Sequence, residues 1–226
     1  SSDVCSSDLG LSVPVILQRA DVRDVLISPR ASLAELPEGA VIGTSSLRRE
    51  CQLRALRPDF NVRLLRGNVG TRLRRLDEGR FDAIVLAAAG VSRLGHEHRV
   101  RSYLAPSLML PAPGQGAIGI EARTDDRAVL ELLAPLDHME THRAVLAERA
   151  FSRGLYGGCR LPIAAYAQLS GRTLSLGGLV GRPDGTDIIR DQISGDRDQA
   201  EALGADLAER LLQRGAGVIL RELVHD

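Results

Sequence analysis

Thirteen arginines fall between Ile42 and Arg101, and several stand where an apolar run gives way to a helical pattern. In "GTSSLRR", Gly43 to Arg49, a glycine, the hydroxyls of Thr44, Ser45 and Ser46, and the pair Arg48 and Arg49 occupy seven consecutive positions. In "LLRGNVGTRL", Arg66 and Arg72 flank a Gly-Asn-Val-Gly turn that begins at Gly67, and in "AAAGVSRLG" Arg93 follows the next apolar run. A guanidinium presents a planar, permanently charged fork that matches carboxylates and phosphates. A helix start adds unpaired N–H groups that favour an anion. These residue types at these spacings point to binding of an anionic group. Arg48 and Arg49 lie in a first helical turn, where their charge opposes the helix dipole. A bound anion would relieve that conflict; a serine N-cap followed by solvated arginines is the plainer account.

Cys159, in "GLYGGCRLPIAAY", is the other chemically distinctive position. Neighbouring arginines would favour its thiolate. No histidine has an evident orienting partner, so a cysteine-protease pattern is missing. Taken alone, Cys159 fits a small buried residue, a reactive thiol or a point of attachment. His138 and His142 in "HMETH" have the i, i+4 spacing of a zinc helix, but Glu140 is displaced from the position used in H-E-x-x-H, so a polar helix face is expected and no metal site. Three cysteines without C-x-x-C spacing argue against a disulfide framework and a zinc ribbon.

The chain is neutral overall, with 29 basic and 29 acidic residues, and it contains no lysine. Between Ile42 and Arg101 the thirteen arginines face six acidic residues, a local excess of +7. A local anionic ligand explains that better than a generally acidic partner. A Walker phosphate loop is excluded by the missing lysine, and "GQG" at 114 to 116 is too short for a dinucleotide fingerprint. Aromatic residues make up 3% of the chain, which leaves little platform for stacking nucleic-acid bases, so nucleic acid is not an expected partner. No apolar run approaches the ~20 residues that span a bilayer. The first residues lack the basic and apolar regions of a signal peptide, so a cytoplasmic protein is expected.

The elements that must position these residues alternate between strand and helix. "AVIGT", "NVRLL" and "DAIVLAAAG" read as strands, and "SSLRRECQLRALRP" and "VGTRLRRLDEG" as the helices between them, the first capped by Ser45 or Ser46. That order predicts a parallel α/β sheet whose carboxyl edge gathers the arginines. "LPAPGQGAIGIEAR" looks like a segment crossing between lobes. Residues 125 to 153 are helical in period. Residues 162 to 194 alternate as an antiparallel sheet with the turn "PDG", and 198 to 214 form an amphipathic helix stopped by Gly215. Arg54, Arg74, Arg75 and Arg80 are expected to be surface arginines with helix partners.

Five stretches in series, "VIGTSSLRRECQL", "LRGNVGTRL", "FDAIVLAAAGVSRLG", "LPAPGQGAIGIE" and "GGCRLPIAAYA", closely resemble the porphobilinogen deaminase (hydroxymethylbilane synthase) family. The resemblance runs from about Gly10 to the C-terminus. It implies a periplasmic-binding-protein-like parallel α/β domain and a C-terminal α+β domain with a small antiparallel sheet. It also implies a monomeric transferase of tetrapyrrole (porphyrin, heme) biosynthesis that condenses four porphobilinogen molecules into hydroxymethylbilane with release of ammonia. A dipyrromethane cofactor would be held by a thioether to the cysteine that matches Cys159. Thr44, Ser45, Ser46, Arg48, Arg49, Arg66 and Gly67 match positions that hold the cofactor, and Arg66, Arg72, Arg93 and Gln115 match positions that hold substrate. An anion-binding α/β module without catalysis, taking a carboxylate or phosphate, is the alternative.

The resemblance also sets expectations for what departs from the family. Its catalytic aspartate, on a Lys-Asp pair, has no recognisable counterpart, so the chain is expected to be an N-terminally truncated member with poor activity. Arg160 replaces the uncharged residue usual after the cysteine, and Ala164 stands where glycine is common. The expected partition is an unmatched leader at 1–9, a remnant of domain 1 at 10–21, the arginine-lined domain 2 at 22–110, a return segment of domain 1 at 111–136, and the cysteine-bearing domain 3 at 137–226. The return segment is expected to expose apolar surface.

Overall fold

The structure is a computed structural model and describes residues 10–29, 32–155 and 161–224. After β1 (Leu11–Ile16), a five-stranded sheet is formed by β2 (Asp24–Ile27), β3 (Val41–Thr44), β4 (Asn61–Leu64), β5 (Ala83–Ala87) and β6 (Ser102–Leu104), in the order β4-β3-β5-β2-β6. β3 is parallel to β4 and β5, as the strand-helix alternation predicts. β2 is antiparallel to both β5 and β6, so the sheet is mixed. The pairing explains why. Asp24 at the start of β2 lies opposite Ala87 at the end of β5 and Leu104 at the end of β6. The chain therefore enters and leaves this sheet at the carboxyl edge of the parallel strands.

Both faces of the sheet are covered at its centre, which is why β2, β3 and β5 are buried along nearly their whole length, while the edge strand β4 is largely exposed. On one face Leu26, Ile42, Ala83 and Val85 pack with Leu53 of α1 (Leu47–Leu56), Phe60 and Met109. On the other, Val25, Ile27, Ile84 and Leu86 pack with Leu73 and Leu76 of α2 (Val69–Asp77) and with Val91 of α3 (Ala88–Arg93). Leu26 faces one way and its neighbours Val25 and Ile27 the other, the two-residue period of a pleated strand. The alanine-rich run after β5, expected to prolong the strand, turns into α3 at Ala88. Alanine favours helix most strongly of all residues.

β7 (Gly119–Arg123) pairs antiparallel with β1 as a separate two-stranded ribbon. The expected long helix over 125–153 is divided into α4 (Arg127–Leu133), a 3₁₀ turn at Ala134–Leu136 and α5 (Met139–Gly154). Pro135 lies in the 3₁₀ turn, and His138 caps the next helix by accepting from the Thr141 N–H. Ile118, Val129, Leu132 and Leu136 remain exposed around this ribbon, Leu132 at 78%.

β8 (Ile163–Ser170), β9 (Thr173–Gly181) and β10 (Ile188–Asp196) form an antiparallel sheet in the order β10-β9-β8. α5 and α6 (Ala200–Gln213) pack on it around Phe151, Leu176, Leu207 and Leu211. At Gly204 a Cβ would collide with the carbonyl oxygen of Ala147, so this glycine lets the two helix backbones meet. Gly215 ends α6 at φ 101°, as expected. The chain then forms α7 (Ala216–Val224), which the sequence reading lacked and which buries Ile219 and Leu220.

Candidate functional site

Ser46 is the N-cap of α1, accepting from the Arg49 N–H, and the hydroxyl of buried Thr44 accepts from the Ser46 N–H. The cap turns the first helical turn inward. Arg48 and Arg49 are only 3% and 8% exposed, and both reach Asp24 at the start of β2. Arg48 donates through Nη1 to Asp24 Oδ2 at 2.7 Å and through Nη2 to Oδ1 at 3.2 Å. Arg49 donates through Nε and Nη2 to Asp24 Oδ1 at 3.0 and 2.8 Å. The anion that the arginine pair called for is thus supplied within the chain.

Gln115, from the crossing segment, closes this cluster. Its amide donates to Val22 O at 2.6 Å and Asp24 Oδ1 at 3.1 Å, and its oxygen accepts from Arg48 Nη2 at 3.2 Å. Arg48 also donates to Leu110 O, and Arg49 to Val85 O. Burial pushes the Asp24 carboxyl up, but Arg49 and Arg48 outweigh it and hold it below the usual carboxylate range. Burial lowers Arg49, and Asp24 offsets this only in part. Two cations share one anion, so the cluster carries one surplus positive charge. Arg48 Nε is buried without a hydrogen-bond partner, the kind of orphaned donor that an incoming acceptor would satisfy.

The remaining predicted positions lie along the same sheet edge. Arg72 donates through Nε to Gly67 O at 2.8 Å and through Nη2 to Ser45 Oγ at 3.4 Å, tying the turn after β4 to the turn after β3. Gly67 adopts φ 115°, and a Cβ there would meet Thr71 at 2.9 Å, so the bend before α2 favours glycine. The Arg66 guanidinium is exposed and makes no hydrogen bond or ion pair among the described residues. Arg93, at the end of α3, donates to Gly116 O at 3.4 Å, next to Gln115. Gly116 has φ 83°, and a Cβ on it would meet the Ala20 carbonyl at 2.8 Å, so the segment between β1 and β2 and the crossing segment touch here. Thr44, Ser45, Ser46, Arg48, Arg49, Gly67, Arg72, Arg93 and Gln115 are therefore joined by contacts within one region. Cys159 lies outside the described residues.

Such a donor set suits a ligand with several carboxylates, which fits the acidic side chains of a dipyrromethane. Arginine forks can fix the orientation of each carboxylate, and serine and threonine hydroxyls can complete its hydrogen bonding.

The surface arginines behave as expected in three cases. Arg54 pairs with Glu50, and Arg74 and Arg80 with Glu78; Arg75 instead donates to the Arg66 carbonyl. His142 bonds Asp137, and among the described residues no cluster of His, Cys, Asp or Glu could hold a metal. Cys51 is buried, and burial pushes its thiol up to about 12, which leaves it inert.

Among the described residues, two buried carboxylates carry no sequence signal strong enough to single them out. One is Asp24, whose only signal is an acid opening the apolar run "DVLI". The other is Glu148 on α5, 0% exposed, which binds both Nη1 and Nη2 of Arg19 and accepts the N–H groups of Gly114 and Ala167.

A model of the family "Porphobilinogen deaminase, dipyromethane cofactor binding domain" matches residues 3–131, and one of "Porphobilinogen deaminase, C-terminal domain" matches residues 142–213. Among solved structures, the chain is similar to the substrate binding protein of an amino acid ABC transporter, at 14% identity and a TM-score of 0.32. That match covers 60% of this chain and spans 59% of the transporter protein.

Proposed function

The chain belongs to the porphobilinogen deaminase family, and on that premise we propose that it takes part in hydroxymethylbilane synthesis, the head-to-tail condensation of four porphobilinogen molecules with release of ammonia in tetrapyrrole biosynthesis. The observation that carries this is the arginine edge. One region gathers Arg48, Arg49, Arg72 and Arg93 with Ser45, around a buried cluster that holds surplus positive charge. Each porphobilinogen ring brings two carboxylates, so a lengthening pyrrole chain accumulates the charge that such an edge neutralises. A charge-assisted bond is worth roughly 1.5 to 3 kcal/mol, so a few of them hold a polycarboxylate firmly.

A dipyrromethane supplies, when bound, an acidic pyrrole unit to which the first substrate ring is joined. In this reading Cys159 anchors it, and Thr44, Ser45, Ser46, Arg48, Arg49, Arg66 and Gly67 hold its side chains. Arg66, Arg72, Arg93 and Gln115 receive substrate. Residues 22–110 act as the arginine-lined domain, 111–136 as a return segment beside 10–21, and 137–226 as the cysteine-bearing domain. The protein would work as a cytoplasmic monomer; among the described residues no helix is long and apolar enough to cross a membrane.

Proton transfer to the leaving amine needs a general acid. Among the described residues, Asp24 is the carboxylate bonded to these site residues, and its two arginines keep it ionised, which disqualifies it as a proton donor. The chain by itself is therefore expected to bind porphobilinogen and turn it over poorly. Intact-mass spectrometry should find a dipyrromethane adduct on Cys159, and calorimetric titration should show porphobilinogen binding. An unmodified thiol together with no binding would overturn the proposal. Robust appearance of uroporphyrin absorbance would overturn the poor turnover alone.

A further inference from the structure

We infer that Asp24 is the positioning residue of the arginine edge: its buried carboxylate presets the Arg48 and Arg49 guanidinium groups for a carboxylate-bearing ligand before that ligand arrives. The inference rests on the proposed function, because it takes the ligand to be the acidic side chain of a pyrrole.

Three observations converge on it. Asp24 is 0% exposed, so it cannot itself touch a ligand in solution. It accepts four arginine hydrogen bonds, two from each guanidinium, and a fifth from Gln115. It also sits where the chain crosses into the sheet, opposite the ends of β5 and β6, so the strand register fixes its backbone on both sides. Long arginine side chains are costly to order, and a fork already oriented loses less freedom when it binds. Asp24 removes that freedom during folding.

The geometry leaves donors for a ligand. Arg49 has one N–H engaged on each of its three nitrogens, Nε and Nη2 by Asp24 and Nη1 by Val85 O. A guanidinium has five N–H bonds, so two on Arg49 stay open. Arg48 keeps its orphaned Nε–H. Asp24 also neutralises one of the two charges, so the site keeps attraction for an anion without leaving two unmatched cations in a buried place.

Positioning and bulk charge predict opposite signs. In Asp24→Asn the cluster gains a net positive charge, so simple attraction would tighten porphobilinogen binding. Presetting predicts the reverse, a loss of about tenfold or more. Asp24→Glu keeps the charge but lengthens the arm, and weaker binding than wild type is expected there too. Calorimetric titration with porphobilinogen reads both variants, with circular dichroism to check folding. Wild-type affinity in Asp24→Glu, or equal or tighter affinity in Asp24→Asn, would overturn the inference.

A measurement on the unmodified protein covers the case in which the variants do not fold. Nitrogen-detected NMR of the ligand-free chain should show slow rotation of the Arg48 and Arg49 guanidinium groups, unchanged when porphobilinogen is added. Fast rotation that slows only with ligand would sink presetting. Wild-type protein that binds no porphobilinogen would instead refute the functional reading, and the ligand-free spectrum would still decide the role of Asp24.

Discussion

Among the described residues two buried carboxylates each recruit arginine, and they are built to opposite ends. At Asp24 one carboxylate is shared by Arg48 and Arg49, which leaves surplus positive charge and unused donors. At Glu148 one carboxylate meets one arginine in a bidentate pair, 2.7 and 2.9 Å long. Gly114 and Ala167 N–H groups take up the remaining acceptor positions of Glu148, and Arg19 Nε donates to Gln115 O. Glu148 is electrically closed and Asp24 is open. The closed cluster joins three parts of the chain: Arg19 in the segment between β1 and β2, the 111–117 segment, and the α5–β8 unit. The open cluster lies at the sheet edge where Arg48, Arg49 and Arg72 gather. Gln115 belongs to both, through its carbonyl and its side chain, so the latch and the binding edge share one residue.

The largest effect should come from opening the closed cluster. Glu148→Ala leaves the Arg19 guanidinium, 10% exposed in its side chain, without its counter-ion, and strips two backbone donors of their acceptor. Breaking a buried pair on one side typically costs about 3 to 5 kcal/mol. Urea unfolding is expected to show a loss of that size. A change under about 1 kcal/mol would mean that water replaces Glu148 easily and that the contrast between the clusters is only geometric.

The two clusters should also part company with pH. The folded value of Asp24 is depressed: burial raises it, and Arg49 and Arg48 lower it by more. Its stabilising contribution is therefore present above the ordinary carboxylate range and is lost as pH falls through the depressed value. Glu148 is raised, because burial outweighs Arg19 and the two backbone donors. Its pH-linked contribution has the opposite sign, full at low pH and lost as pH rises through the raised value. Stability measured across the acid range should lose its steep fall in Asp24→Asn and keep it in Glu148→Gln. A fall that survives unchanged in Asp24→Asn would show that other carboxylates govern the acid limb.

Much of this architecture is legible in the sequence because it depends on local pattern. Apolar runs and helix caps locate β3, α1, β4 and α2, and alternation locates β8 to β10. The arginine edge is legible too: Arg66 follows the end of β4, Arg72 lies in the first turn of α2, and Arg93 ends α3, which follows β5. What local pattern does not carry is partnership across the chain. Asp24 meets Arg48 and Arg49 across 24 and 25 residues, and Arg19 meets Glu148 across 129. Nothing within a window of either acid announces its partner. The orientation of β2 is hidden for the same reason: it is set by where the chain enters the sheet. α7 was missed because Gly215 reads as a stop, and the following run is too short to show its period.

The smallest expected effect tests whether burial, and not pairing as such, separates these clusters from the rest of the charge network. Arg153 and Glu201 join α5 to α6 at 2.5 Å, yet their side chains are 53% and 64% exposed. Among the ion pairs that α5 makes to neighbouring segments, the one at Glu148 is sealed and the one at Glu201 lies in solvent. Water already satisfies the exposed pair, and holding two long side chains in one geometry costs entropy, so such pairs contribute only about 0 to 1 kcal/mol. Glu201→Ala should shift the urea midpoint by no more than about a third of the Glu148→Ala effect and should become silent in high salt. The packing between the helices, carried by Gly204 against Ala147 and by Phe151 and Leu207, is untouched by that change. A loss comparable to that of Glu148→Ala would mean that the α5–α6 contact itself depends on charge, and the distinction between sealed and open clusters would then lose its basis.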